Sequence, residues 1–519
     1  MAHRPTVRAA NGLVATGHHL ATAAGLAALR DGGTAADAAI AAAAVCAVVL
    51  PQATSIGGDV FALHYDARSG EVTAYNGSGA APAALPEFAS FPDHGAAVTT
   101  VPGCVAAWSD LLEDHGELGL EEALQAAIGY AEQGFPVSDG LAAAIGESRD
   151  KLERDSESAR TFVPRGRTPA AGTMLQQPDL AATLREIVSE GADAFYRGAL
   201  AERIARGIAT IDGTLTADDL AQHRTERRAP LEIAYRGLRV FGQPPVSQGH
   251  ILLEELLMAE GFPLGEHAPG DPELVHLMVE LKKLAFADRD AHAGDPRMVD
   301  FDAARLFEPA FIEARRRQVG SRAAERVDGA ALAMPAHTTY LCVADRDGNA
   351  VSLIESVFSL FGSGAIAPGT GVLLNNRLTG FSLDPRSPNA LGPGKRPVHT
   401  LNAVMVLEGS QPRYVLGTPG AQAQVQTNFQ LIVSLVDHRL DVQDAIESPR
   451  WFHESGRALR LESRYPEATR RALQSKGHEI ALLPEWAEVT GGAQAIAIDA
   501  SGGFAGGADP RREGHAAGY

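Results

Sequence analysis

His337, Thr338 and Thr339 stand together at the head of the stretch "AHTTYLCVADRDGNAV", about two thirds of the way along the chain. A threonine hydroxyl is a poor nucleophile until a base takes its proton. A free α-amine on the same residue, with an unperturbed pKa of roughly 8, can be that base. Such an amine exists only where the chain is cut before the threonine. Cleavage between His337 and Thr338 follows if the Thr338 hydroxyl attacks the preceding carbonyl and water releases the ester. Residues Ser321 to Ala336, alanine-rich, polar and weakly patterned, predict a mobile segment leading to that bond. Taken alone, a Thr-Thr pair says only that threonine favours strands.

Other chemistries lack their residues. "DRDGN" resembles the start of a calcium loop, but the twelfth position counted from Asp345 is Ser356 rather than a bidentate carboxylate, and the flanks read as strands. "GSGAIAPG" and "GSGAAP" lack the third glycine and the helix of a dinucleotide fingerprint. No H-E-x-x-H, C-x-x-C or G-x-S-x-G occurs, so neither a metal nor an organic cofactor is expected. Cys46, Cys104 and Cys342 are far apart in apolar contexts and read as reduced core thiols.

The elements that must position Thr338 are legible around it. Thr339, Leu341 and Val343 alternate with Thr338, Tyr340 and Cys342, and Asp347-Gly348-Asn349 turns the chain into a second strand from Ala350 to Ile354. Near the start, one helix is expected from Leu20 to Arg30, ended by Gly32-Gly33. A second runs from Thr34 to Leu50, with Thr34 and Asp37 in capping-box spacing. Residues Val101 to about Glu260 read as mostly helical, and Glu273 to Arg317 as helical again. After Thr338 come short strands and glycine turns, with late helices near Gln424 to Val436 and Pro466 to Lys476. This division predicts an α+β body in which helices cover sheets.

A net charge of −19 and a pI near 5.3 disfavour nucleic acid as a partner. The most apolar run, Ala38 to Leu50, is too short to span a bilayer, and no secretory h-region opens the chain. The expected partner is a small molecule, with no membrane and a cytoplasmic location.

A series of motifs resembles the γ-glutamyltranspeptidase family of N-terminal-nucleophile hydrolases: "ATAAGLAALRDGGTAADAAIA", "VVLPQATSIGGD", "VPGCVAAWSDLLEDHGEL", "AAIGYAEQGFPVS", "QPPVSQG", "TTYLCVADRDGNAVS", "GTGVLLNN", "GKRPVHTL", "GTPG" and "SPRW" follow in order. The resemblance implies a four-layer αββα sandwich and a self-cleaving enzyme. Residues 1–337 would be the large subunit and 338–519 the small one, with any dimer of these left open. "NNRLTGFSLD" is more similar to the divergent branch containing oxamate amidohydrolase and cephalosporin-acylase-like members.

By this resemblance Thr338 is the nucleophile, Ser356 keeps a supporting hydroxyl, and the amides of Gly420 and Ala421 form the oxyanion hole. Thr400 and His399 fall on two neighbouring serines near the substrate carboxylate. The glutamate-reading residues differ. Ser78 stands for the arginine that grips the α-carboxylate, Phe358 for an asparagine, Arg377 for a glutamine, and Gly380 for the acid that pairs with the α-ammonium. Without that acid a buried ammonium would be unpaired, at several kcal/mol. The expectation is therefore hydrolysis of a small amide other than an ordinary γ-glutamyl one. Arg377 either pairs with a substrate carboxylate or makes a structural bridge to Asp384 or Glu355, and Phe358 is either a pocket wall or a core aromatic. The rivals are a true γ-glutamyltransferase or glutathione hydrolase with rearranged recognition, and an uncleaved, inactive binding homologue.

Overall fold

Alternation along the central strands sets the layers of the protein. A computed structural model describes residues 3–325 and 336–519. On the strand Ala336–Asp345, Tyr340, Cys342 and Ala344 point into an apolar core shared with Phe241, Met405, Val415 and Ile496 of a second sheet. Leu341 and Val343, on the opposite face, pack beneath helices. The second sheet repeats this arrangement. Val404, Val406 and Leu416 face outward onto the helices Gly249–Ala259 and Pro272–His292. Helices, two seven-stranded antiparallel sheets and helices thus form four layers, an αββα sandwich.

Strands from before and after Thr338 interleave. Ala336–Asp345 lies between Gly12–Thr16 and Ala350–Ser359, and the latter pairs in turn with Asp59–Asp66. In the other sheet, Gln411–Gly417 and Val404–Glu408 continue into Leu238–Gly242 and Leu231–Tyr235. The portions before and after residue 338 therefore build one core.

The expected first helices are present as His19–Arg30 and Ala35–Val49. Thr34 caps the second, and the Asp37 carboxylate returns to the Thr34 N–H at 2.8 Å. Every residue of Ala35–Val49 is buried, which small alanine side chains permit between a sheet and other helices. One expectation needs correction. The stretch read as helical up to about Glu260 contains the strands Glu226–Arg228, Leu231–Tyr235 and Leu238–Gly242. Arg236 and Gly237, both at positive φ, make the two-residue turn between the last two. Most of the stretch expected to be mobile, Ser321 to Ala336, falls outside the described residues.

Candidate active site

Thr338 lies where the pairing of its strand changes step. His337 faces Phe358 and Thr339 faces Glu355, so Ser356 and Val357 together oppose Thr338 in a β-bulge. The irregularity aims the Ser356 hydroxyl at the His337–Thr338 peptide. Thr338 Oγ1 donates to Ser356 Oγ at 3.1 Å, and Ser356 Oγ donates to the His337 carbonyl oxygen at 2.7 Å. The Phe358 N–H, at 2.8 Å, fills the remaining acceptor position of Ser356. Thr338 and Ser356 are both buried. A single hydroxyl therefore contacts both the Thr338 hydroxyl and the His337 carbonyl.

Gly420 and Ala421 follow the strand Gln411–Gly417 with φ of 130° and 52°. For an alanine the second value is uncommon and costs backbone strain. The turn leaves both N–H groups without an acceptor among the described residues. Free donors on a loop close to the Thr338 strand are what the expected oxyanion hole requires.

Two cavities lie near these residues, and the smaller of them is bordered by Thr338. The larger, about 410 Å3, is bordered by Phe358, Gly380, Thr400 and Ala421, with Phe381 and Val398 adding apolar wall. Four of the expected site residues thus meet in one space. Phe358 is its wall, held at φ 82°. Thr400 is buried, and its hydroxyl has no partner among the described residues.

Three expected residues lie elsewhere. Ser78 is buried and its hydroxyl donates to Asn76 Oδ1 at 2.6 Å. The His399 ring is buried against Phe61, with centroids 5.1 Å apart, and burial holds it well below the ordinary histidine range. Arg377 does not border the cavity. Its guanidinium is fully buried behind Phe358, 4.4 Å from the centre of that ring, and Nε donates to Asp59 Oδ2 at 2.9 Å. Burial pushes Arg377 down and Asp59 up, each opposed by the other's charge. The bridging partner is therefore Asp59. Asp384 pairs with Arg386 at 2.7 Å, and burial pushes the Glu355 carboxyl up. Arg377 Nη1 and Nη2 have no partner among the described residues.

Sequence reasoning missed Asp59, whose pairing spans 318 positions. It also missed Arg289 and Asp290, an ion pair at 2.6 Å that borders the larger cavity from the helix Pro272–His292. Arg289 also donates to the side chain of Gln422, beside the Gly420-Ala421 turn. Away from the site, His276, Glu280 and His478 lie close enough to share an ion. Most of their atoms are already engaged: His276 Nδ1 meets His478 Nε2 at 2.9 Å, and Glu280 takes Lys283 Nζ at 2.7 Å and the Ala324 N–H at 3.1 Å. This group holds the chain at Gly320 and Ala324.

The four-layer αββα sandwich, with Thr338 and the Ser356 hydroxyl on adjoining central strands, is the architecture that the resemblance to N-terminal-nucleophile hydrolases implies. The γ-glutamyltranspeptidase family model matches residues 21–519, and the chain belongs to that family, a threonine-nucleophile hydrolase. It is 36% identical to the glutathione hydrolase-like YwrD proenzyme of Bacillus subtilis, covering 98% of both chains. It is also 36% identical to the oxamate amidohydrolase proenzyme of Klebsiella pneumoniae, again over 98% of each. The crystal structure of a cephalosporin acylase from Bacillus halodurans superposes with a TM-score of 0.94 at 35% identity, covering 100% of this chain and 98% of that one.

Proposed function

We propose that this protein cleaves itself between His337 and Thr338 and then hydrolyses a small amide that is not an ordinary γ-glutamyl compound. The observation that carries this is the Ser356 hydroxyl, placed between the Thr338 hydroxyl and the His337 carbonyl. In the precursor Thr338 Oγ attacks the His337 carbonyl carbon. Its proton passes through Ser356 to the carbonyl oxygen and from there to the nitrogen as the C–N bond breaks, so the carbonyl re-forms as an ester and the Thr338 nitrogen departs as an amine. Water then splits the ester, leaving a carboxylate on His337 and a free amine on Thr338. In the processed enzyme this amine takes the Oγ proton as Oγ attacks the substrate amide. The N–H groups of Gly420 and Ala421 receive the oxyanion. The amine gives its proton to the leaving nitrogen, and water resolves the acyl-enzyme.

The acyl half fits the 410 Å3 cavity. With Gly380 there is no acid at the expected ammonium position, and Phe358, Phe381 and Val398 supply apolar wall. An acyl group without an α-ammonium suits that lining, as in a dicarboxylic-acid monoamide or an oxamate-like acid. One observation favours a second reading. Arg289 and Asp290 could together hold the carboxylate and ammonium of a γ-glutamyl head group. The test is to incubate the purified protein with oxamate, γ-glutamyl and glutaryl amides and detect the acyl-enzyme by mass. Adducts from the des-amino substrates support the proposal. An adduct from the γ-glutamyl amide alone supports the Arg289–Asp290 reading, and no adduct with an uncleaved chain means a binding protein.

A further inference from the structure

We infer that the second cavity beside Thr338 is the leaving-group site and that it takes a small, uncharged or cationic amine. This rests on the proposal that Thr338 becomes N-terminal. The cavity measures about 240 Å3 and is bordered by His337, Thr338 and Pro419, a lining that shares no residue with that of the larger cavity. Its place follows from the proton's path. The Thr338 amine must hand the proton to the leaving nitrogen, so that nitrogen has to lie beside the Thr338 amine. That is the side on which His337 now sits, and cleavage frees His337 from it.

The lining supplies the recognition. Gln52 and Gln494 are both more than nine-tenths buried, yet the carbonyl oxygen of each side chain has no partner among the described residues. Buried amide oxygens without a donor are rare and costly. Two of them on one small cavity match the N–H groups of an amine. Charge points the same way. Glu147, Glu488 and Glu513 border the space, against Arg512 as the one arginine or lysine among the described lining residues. Glu513 is fixed in place by the Ser138 hydroxyl at 2.7 Å and the Gly140 N–H at 2.9 Å. An amine carrying its own carboxylate would meet this acidic border unfavourably.

The test pairs amides with an activated phenyl ester of one acyl group, because a phenolate needs no proton and offers no N–H. In wild type, a 1,2-diaminoethane amide should exceed the matching glycine amide in kcat/KM by about tenfold. Gln494→Leu and Gln52→Leu should lower amide kcat/KM about tenfold while moving ester kcat/KM less than threefold. Gln494→Glu, which retains the acceptor, should widen the preference for the cationic amide and serves if the leucine variants do not fold. Equal losses on amide and ester, no loss on either, or a wild-type preference for the glycine amide would overturn the inference. Mass analysis of each sample keeps the two proposals apart: an uncleaved wild type refutes the processing mechanism, whereas a cleaved enzyme without this selectivity refutes the leaving-group site alone.

Discussion

The Ser356 hydroxyl reaches the carbonyl oxygen of His337 at 2.7 Å while it receives the hydroxyl of Thr338 at 3.1 Å. One side chain thus touches both the proposed attacking oxygen and the bond proposed to be cut. Ser356→Ala should slow self-cleavage and turnover by roughly one to three decades, the effect of a lost positioning hydrogen bond at a reacting centre. Ser356→Thr should retain both. The check is the rate of fragment appearance on a denaturing gel together with amide turnover.

Arg377 and Asp59 form a fully buried pair behind Phe358. Removing one member leaves the other charged and unpaired, so Arg377→Ala should cost about 3–5 kcal/mol of stability in urea unfolding. Arg377→Lys should recover part of this, because lysine lacks the planar group that stacks on Phe358. A des-amino amide should also turn over more slowly in Arg377→Ala, through loss of the support behind Phe358. Unchanged unfolding in Arg377→Ala would mean that the pair contributes nothing to the fold.

Thr34 and Asp37 cap the buried helix Ala35–Val49, but Asp37 does more. Its carboxylate also accepts from the N–H groups of Glu117 at 2.8 Å and Leu118 at 3.1 Å. Thr34→Ala should cost about 1 kcal/mol as a lost cap. Asp37→Ala should cost more, since it strands three backbone donors. Comparing their unfolding midpoints tests the order.

Acid should weaken the fold before the carboxylates titrate. His64, His223 and His250 are each pushed down to about 3, chiefly by burial. Between about pH 6.5 and 3 the unfolded chain binds protons at these sites that the folded chain refuses, so stability falls as pH drops through that window. Each histidine contributes a slope of up to about 1.4 kcal/mol per pH unit. Unfolding free energy measured from pH 7 to 4 should show this decline, and His250→Asn should flatten it.

How legible a feature was followed from how local its cause is. The hairpin around Asp347-Gly348-Asn349 and the capped alanine helix are written in neighbouring residues, and both are present. The strands Leu231–Tyr235 and Leu238–Gly242 were equally local. Leu231, Ile233 and Tyr235 alternate before an Arg-Gly turn, and the surrounding helical character masked them. Phe358, Gly380, Thr400 and Ala421 were found through motifs and do share a cavity. The Arg377–Asp59 pair, and the Gln52 and Gln494 side-chain oxygens that lack a partner among the described residues, had no sequence signal, because distant segments meet there only after folding.

The central claim is that Thr338 becomes an N-terminal nucleophile, and intact mass with N-terminal sequencing of the purified protein tests it most directly. The account predicts two fragments, 1–337 and 338–519, the second beginning Thr-Thr-Tyr-Leu. Thr338→Ala should remain a single inactive chain. A junction elsewhere, or amide turnover by an uncleaved Thr338→Ala chain, would contradict it.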